Sequence, residues 1–485
     1  MKDLFNIDNP LLKVRRTKIV ATLGPASSDK AAIVRLINAG ADVFRLNMSH
    51  GDHETHRRTF ANIQSAMREC GRHVAVLADL MGPKIRVGEL EGGSIDLIAG
   101  ASVTVTVRSV VGMDGLIPCQ YEGLARDVGT GDAILLDDGR LELRVLSVDG
   151  PDILCTVIEG GRLKSRKGIN LPGVAVSAAS LTEKDKQDAR FAHEIGVDFL
   201  ALSFVRSARD VGELREFLER EGSHEQIIAK IERPEALKDI DGILEIADGI
   251  MVARGDLGVE IQQERVPVVQ HELVDRARQR NKPVIIATQM LESMTDSPRP
   301  TRAEISDVSH AVFSGADAVM LSAETASGNH PVEAVKVMDR VARQVEAWHF
   351  AESTFGSLEW SGRAQSTTLG EAVAKGASQM ARDLSVRCLA VPSTSGATVK
   401  VISAARPSVP ILGLSASEQT LRRISLLWGV VPIAVDCATD EDYKQSARAV
   451  ALRLELAEKG GTLLLIAGFK PDAGQSEPSI TVFRV

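Results

Sequence analysis

Two short runs in this 485-residue chain carry residue types able to act together on an anion. In KIE, Lys230 and Glu232 stand two positions apart, which in an extended strand turns both side chains to the same face. In RGDLG a second carboxylate, Asp256, follows Gly255, where the missing side chain lets backbone approach a ligand closely. Such a pair suits a hard cation, because Mg2+ commonly takes one or two protein carboxylates and fills its other positions with water and substrate oxygens. Arg45, Arg86 and Lys230 nearby would grip a phosphorylated or carboxylated substrate. A metal ringed by cations is the composition of phosphoryl transfer. Any one of these residues alone reads more often as a solvated or salt-bridged rim residue, so the inference depends on their convergence.

Eight short Val- and Ile-rich runs could supply that convergence, starting at Thr17, Asp42, His73, Asp198, Gln226, Gly249, Pro283 and Ala318. Each ends in polar residues and leads into a helix-like stretch. Residues 28–39 and 182–195 are examples, the latter opening with Thr182 and Asp185 in capping-box spacing. Eight strand–helix units predict an α/β fold, a (β/α)8 TIM barrel, whose strand C-termini meet at one mouth. The residues expected there are Arg45, Asn47, Ser49, Asp79, Lys84, Arg86, Ser203, Lys230, Glu232, Asp256, Thr288, Ser322 and Glu324.

About a hundred residues separate the third run from the fourth, and this interval is alternating and turn-rich. It predicts a small β-barrel lid inserted in a βα loop at the mouth. After a helix-like segment ending near Phe350 and a polar stretch at 353–368, strand and helix patterns restart as a separate C-terminal α/β domain. The expected boundaries are 1–85 and 168–348 for the barrel, 86–167 for the lid and 349–485 for the C-terminal domain.

Lys and Arg total 57 against 65 Asp and Glu, a formal charge of -8, which argues against nonspecific coating of nucleic acid or anionic membrane. Aromatic residues, at 4%, are too sparse for base-stacking surfaces. The five cysteines show no CxxC spacing, and neither a secretory leader nor a membrane-spanning run stands out, so a reduced cytoplasmic setting is expected. GxSxG, GxGxxG, Walker A and protein-kinase signatures are absent. From the residues alone the reading stops at a metal-dependent barrel enzyme acting on a small anion.

Longer motifs carry a resemblance. TKIVATLGPAS at 17–27, FRLNMSHG at 44–51, KGINLPG at 167–173, IIAKIE at 227–232, MVARGDLGVEI at 251–261, ATQMLESM at 287–294, PRPTRAEISDV at 298–308 and MLSAETASG at 320–328 closely resemble pyruvate kinases. The lid interior and the region after Trp348 match that family more in layout than in wording. The resemblance implies transfer of the phosphoryl group of phosphoenolpyruvate to ADP, giving ATP and, after protonation of enolpyruvate, pyruvate. It implies Mg2+ or Mn2+ on Glu232 and Asp256, and Lys230 offsetting charge on the phosphoryl group. It further implies Arg45 and Arg86 holding that group in line, and Gly255, Asp256 and Thr288 at the substrate. Thr288 would belong to a hydroxyl and water relay rather than act as the sole proton donor. Pro25, His50, Arg86, Lys167 and Asn170 are implied around the nucleotide, and a cytoplasmic homotetramer is the implied assembly.

One stretch departs from the potassium-dependent members, which hold K+ with groups matching Asn47, Ser49, Asp79 and the main chain at position 80. Such members typically carry Thr at the position of Leu80 and Glu at that of Lys84, whereas this chain reads DLMGPKIR. The Lys84 ammonium would supply a fixed positive charge in place of K+, so independence of K+ is expected. In the C-terminal domain PSTSGATVK resembles the family's effector loop, implicating Ser393, Thr394, Ser395, Gly396 and Thr398 in binding a phosphorylated metabolite. Thr394 and Ala397 stand where some fructose-bisphosphate-regulated members have basic residues. Two rival readings are a carbon–carbon lyase, which would not need the lid, and a catalytically dead sensor, against which the intact Lys230, Glu232, Asp256 and Thr288 argue.

Overall fold

A computed structural model of the chain describes residues 13–174, 176–177, 179–352, 368–437, 439–469 and 476–485. Each of the eight predicted runs forms a barrel strand: β1 (Lys18–Thr22), β2 (Val43–Asn47), β3 (Ala75–Asp79), β4 (Phe199–Leu202), β5 (Gln226–Ile231), β6 (Gly249–Ala253), β7 (Val284–Ala287) and β8 (Ala318–Leu321). Every strand pairs in parallel with the next, and β8 closes on β1. Alternation divides the side chains between two cores. Val20, Phe199, Ile228, Met251, Ile285 and Met320 fill the barrel interior, while Ile19, Ile227, Ile250, Ile286 and Val319 pack outward against the helices.

The helices begin where capping chemistry allows. Thr182 and Asp185 form the expected capping box at the start of Glu183–Ile195. The stretch read as 28–39 becomes Lys30–Ala39, because the Asp29 carboxylate, rather than Ser28, accepts the Ala32 N–H at 2.9 Å.

Between β3 and β4 the alternating interval builds a six-stranded sheet and a two-stranded ladder over their own core, which includes Val105, Ile117, Leu143 and Cys155. In the C-terminal domain β9 (Cys388–Pro392), β10 (Ile411–Ser415), β11 (Val430–Ala434), β12 (Thr462–Ala467) and β13 (Ser479–Arg484) form one sheet in the order β11-β10-β9-β12-β13. Only β13 runs antiparallel to its neighbour. Leu426 of this domain joins the barrel's interior cluster, so the C-terminal domain contributes to the barrel core itself. The polar stretch predicted at 353–368 lies outside the described residues except for Thr368. All five cysteines are free, and among the described residues no helix is long and apolar enough to cross a membrane.

Candidate active site

Lys230 stands near the end of β5, and its ammonium organises the mouth. Its Nζ lies 2.9 Å from Glu232 Oε1 and 3.3 Å from Asp79 Oδ1, and donates to Ser203 Oγ at 2.8 Å. The strand period thus places Lys230 and Glu232 together as expected, and Asp79 arrives from β3. Burial disfavours the ammonium, but Asp79 and Glu232 outweigh it and raise its pKa above the ordinary lysine value. Burial pushes the Asp79 carboxyl up, yet Lys230 and Arg45 hold it below the usual carboxylate range. Arg45 Nε meets Asp79 Oδ2 at 2.6 Å, and its Nη1 donates to Thr22 Oγ1 at 3.1 Å, so its fork is fixed from two strands.

Glu232 is 1% exposed, and its other oxygen accepts the Phe204 N–H at 2.7 Å. Phe204 adopts a left-handed φ of 56° to aim that N–H, a conformation that costs a non-glycine residue energy and persists where surroundings enforce it. Burial raises the Glu232 pKa, Lys230 lowers it, and the Asp256 charge raises it again. Asp256 lies in the first turn of the short helix Arg254–Glu260. Two carboxylates close enough to repel each other, one of them buried, fit a divalent cation that would relieve the repulsion. Among the described residues no set of three or more acidic, histidine or cysteine side chains forms a metal cluster. A two-carboxylate donor set is the Mg2+ or Mn2+ pattern rather than that of a closed structural zinc site.

Thr288 follows β7 with φ 67°, and Gln289 continues at φ 54°, two consecutive left-handed residues without a glycine. The turn is tied from both sides. Gly255 N–H donates to Thr288 Oγ1 at 2.7 Å, and that hydroxyl donates to the Ala287 carbonyl at 2.6 Å. Arg254, which the sequence reading passed over, donates to the Thr288 and Gln289 carbonyls at 2.8 and 3.0 Å and pairs with Asp307 at 2.6 Å. Glu324 helps from the short helix Ala323–Ala326 after β8, accepting the Leu291 and Ser322 N–H groups at 3.1 and 2.7 Å. A cleft of about 570 Å³ opens here, with Lys84, Asp256, Thr288 and Ser322 in its wall.

The remaining expected residues are dispersed. Asn47 and Asp79 are register partners on β2 and β3, and Ser49 N–H donates to Asn47 Oδ1 at 3.2 Å. Leu80 is buried, its carbonyl accepting the Ser203 hydroxyl at 2.7 Å. Lys84 borders both the large cleft and a smaller pocket with Asn170, Phe204 and Asp256. Among the described residues it makes no ion pair, and nothing joins it to Asn47, Ser49 or Asp79. Arg86 sits at the root of the lid, donating to the Arg166 carbonyl at 3.2 Å, and so stands apart from the Lys230 cluster. Lys167 pairs with Asp137 at 2.6 Å, Asn170 Nδ2 donates to Glu260 Oε1 at 3.4 Å, and His50 is exposed, its N–H donating to the Asn47 carbonyl at 3.1 Å and its own carbonyl engaged by His56 at 2.9 Å. In the C-terminal domain Ser393 Oγ accepts the Gly396 N–H at 2.9 Å, and the Thr394 carbonyl accepts the Thr420 hydroxyl at 2.6 Å. Gly396, at φ 84°, turns the chain into the helix Ala397–Ala404, where a Cβ would approach Ile424 to 2.8 Å.

A closed parallel barrel with a lysine, paired carboxylates and a fixed arginine at its C-terminal mouth defines a barrel enzyme equipped for anion chemistry with a divalent metal. Comparison with known proteins makes the class specific. The model of the pyruvate kinase barrel domain matches residues 14–335, and that of the pyruvate kinase alpha/beta domain matches 371–478. A pyruvate kinase of Geobacillus stearothermophilus is 45% identical over 458 residues, covering 94% of this chain and 78% of that protein. Pyruvate kinase 2 of Synechocystis sp. is 43% identical over 459 residues, covering 94% and 76%. A crystal structure of a pyruvate kinase from Cryptosporidium parvum superposes with a TM-score of 0.90 at 36% identity, covering 98% of this chain and 97% of that one.

The chain belongs to the pyruvate kinase family. It is a phosphotransferase whose substrates are phosphoenolpyruvate and ADP and whose products are pyruvate and ATP, and the family requires a divalent metal ion.

Proposed function

We propose that phosphoryl transfer runs on the cluster around Lys230, with Mg2+ or Mn2+ held by Glu232 and Asp256. A cation held by these two carboxylates would supply positive charge against the phosphoryl group. The observation that carries this reading is the single Lys230 ammonium, which faces Asp79, Glu232 and Ser203 together. Lys230 offsets charge on the phosphoryl group as its bond to the enol oxygen breaks and a bond to an ADP oxygen forms. Arg45, its Nε fixed on Asp79, orients the same group. Arg86 joins them when the lid, residues 86–167, closes over the barrel segments 1–85 and 168–348 and excludes water. Pro25, His50, Lys167 and Asn170 complete the nucleotide site on the lid side. The enolpyruvate carbon then takes a proton through a water relay that includes Thr288, whose own hydroxyl hydrogen is committed to the Ala287 carbonyl.

Monovalent potassium is dispensable in this reading. Asp79 already carries two cations, Arg45 and Lys230, and Lys84 brings a further positive charge to the wall shared with Asp256. The domain 349–485 receives a phosphorylated metabolite at Ser393, Thr394, Ser395, Gly396 and Thr398, and couples it to the barrel within a cytoplasmic homotetramer. The test is an assay coupled to lactate dehydrogenase, with phosphoenolpyruvate, ADP and Mg2+ and tetramethylammonium as the monovalent cation. Turnover that K+ raises by less than twofold is expected. Turnover that appears only with K+ would overturn the Lys84 reading.

A further inference from the structure

The two segments that carry Glu232 and Asp256 are tied together behind the mouth by a second, buried ion pair. Glu260 ends the helix Arg254–Glu260, one turn beyond Asp256, and its side chain is 1% exposed. Its Oε1 accepts from Arg233 Nη1 at 2.7 Å and from Asn170 Nδ2 at 3.4 Å. Arg233 follows Glu232 directly in the chain, is itself buried, and donates through Nη2 to the Val174 carbonyl at 3.1 Å. The same pair therefore holds the chain at 170 and 174, where it returns from the lid to the barrel.

Asn170 sits on a ribbon with two other residues read as nucleotide-binding. Arg86 pairs with Gly168 in an antiparallel bridge, the Val87 N–H donates to the Lys167 carbonyl at 2.8 Å, and the Ile169 N–H donates to the Ile85 carbonyl at 2.9 Å. Arg86, Lys167 and Asn170 are thus carried by one short piece of backbone at the base of the lid. The lid meets the same helix again one residue earlier, where a Cβ on Gly139 would stand 3.6 Å from Val259 Cγ1. A pocket of about 40 Å³ has Asn170, Arg233 and Asp256 in its wall, so the ribbon and Asp256 face one small space. Burying an ion pair costs much of what its attraction returns. Stability alone does not account for this one, whereas fixing one arrangement of the segments it joins does.

We propose that Arg233 and Glu260 are positioning residues for the nucleotide: they fix the base of the lid against the segments of Glu232 and Asp256, so that ADP is held in line with the phosphoryl group. This rests on the reading that places phosphoryl transfer at Lys230, Glu232 and Asp256 and the nucleotide at Lys167 and Asn170. Neither Arg233 nor Glu260 touches substrate; both act through Asn170 and the backbone at Val174. Phosphoenolpyruvate, oriented by Arg45 and Lys230, is independent of the pair. Both donors share Glu260 Oε1, while Oε2 is sealed from solvent without a donor among the described residues. One acceptor oxygen at this position is therefore what the lid base uses, and an amide can supply it.

Isothermal titration of the full chain with ADP and with phosphoenolpyruvate, each in the presence of Mg2+, tests this beside steady-state kinetics. In Glu260→Leu the Kd and KM for ADP are expected to rise at least about tenfold, with KM for phosphoenolpyruvate within about twofold of wild type. Glu260→Leu leaves Arg233 buried without its partner and could fail to fold, so Arg233→Met/Glu260→Leu, which removes both charges, accompanies it. That double variant is expected to keep the wild-type circular dichroism spectrum and to show the same selective loss. Glu260→Gln keeps the shared oxygen and should bind ADP within about threefold of wild type. Equal losses for both substrates, wild-type ADP binding in the double variant, or a loss in Glu260→Gln as large as in Glu260→Leu would overturn the proposal while leaving the catalytic reading in place. A wild type that binds both substrates without turning them over would overturn that reading instead, and the proposal with it.

Discussion

The Gly255 N–H donates to Thr288 Oγ1 at 2.7 Å, tying the turn after β6 to the turn after β7. The contact joins the backbone beside Asp256, proposed to hold the metal, to Thr288, proposed to join the proton relay. A Cβ added at Gly255 would stand 3.2 Å from Thr288 Oγ1, so the glycine permits the close approach.

Removing that hydroxyl takes an acceptor from Gly255 and a member from the proton relay. Thr288→Val is expected to lower kcat by about 100-fold, the scale of a lost acid–base contribution. Thr288→Ser, which keeps the oxygen, is expected to stay within about tenfold of wild type. Release of label from pyruvate carrying tritium at its methyl carbon measures the proton step alone. It should fall with kcat in Thr288→Val.

Arg254 holds the carbonyls of two left-handed residues, Thr288 and Gln289. Lysine cannot reproduce a planar fork that also grips Asp307. Arg254→Lys should therefore loosen the turn and lower kcat by about 10- to 100-fold, the cost of a small misplacement, with KM for ADP little changed. An equal loss in KM for both substrates with unchanged kcat would remove Arg254 from this positioning role.

If Lys84 and Leu80 together make potassium dispensable, reversing both should restore the need. A Leu80→Thr/Lys84→Glu double variant is expected to turn over at least tenfold faster in K+ than in tetramethylammonium. The measurement is steady-state rate against K+ concentration at fixed ionic strength, since exposed charges respond to salt alone.

Lys400, whose ammonium donates to the Asp248 carbonyl of the barrel at 3.2 Å, carries a pH signature. An unfolded lysine titrates near 10.4, and in the fold burial lowers Lys400 to about 8. Between those values the unfolded chain binds the extra proton, so this residue's contribution makes stability rise from pH 8 toward pH 10, by about 3 kcal/mol at most. Below pH 8 the contribution is constant. Chemical denaturation should show that rise in the wild type relative to Lys400→Met, and parallel curves for the two proteins would contradict it.

The barrel was legible because its strands are short, doubly buried and bounded by polar residues, a pattern that survives in a single sequence. Lys230 and Glu232 were legible for the same reason, since period 2 turns Lys230, on β5, and Glu232, just past its end, to one side. Arg254 was passed over, because its partners at positions 288–290 lie a whole strand–helix unit away and nothing local marks them. Asp79 was read as a monovalent-cation ligand, and spacing could not show that its carboxylate is shared by Arg45 and Lys230 across three strands. Arg86 is placed by the lid hinge, so its distance from the Lys230 cluster depends on domain position rather than on the barrel pattern.

The central claim is that Lys230 and Glu232 carry phosphoryl transfer from phosphoenolpyruvate to ADP. The most direct measurement is pyruvate formation in the lactate-dehydrogenase-coupled assay for the wild type, Lys230→Met and Glu232→Gln, each titrated with Mg2+ and each checked for an unaltered circular dichroism spectrum. The account predicts turnover in the wild type, a kcat at least about 100-fold lower in Lys230→Met, and a weakened Mg2+ response in Glu232→Gln. Wild-type rates in both folded variants, or no pyruvate from the wild type, would contradict it.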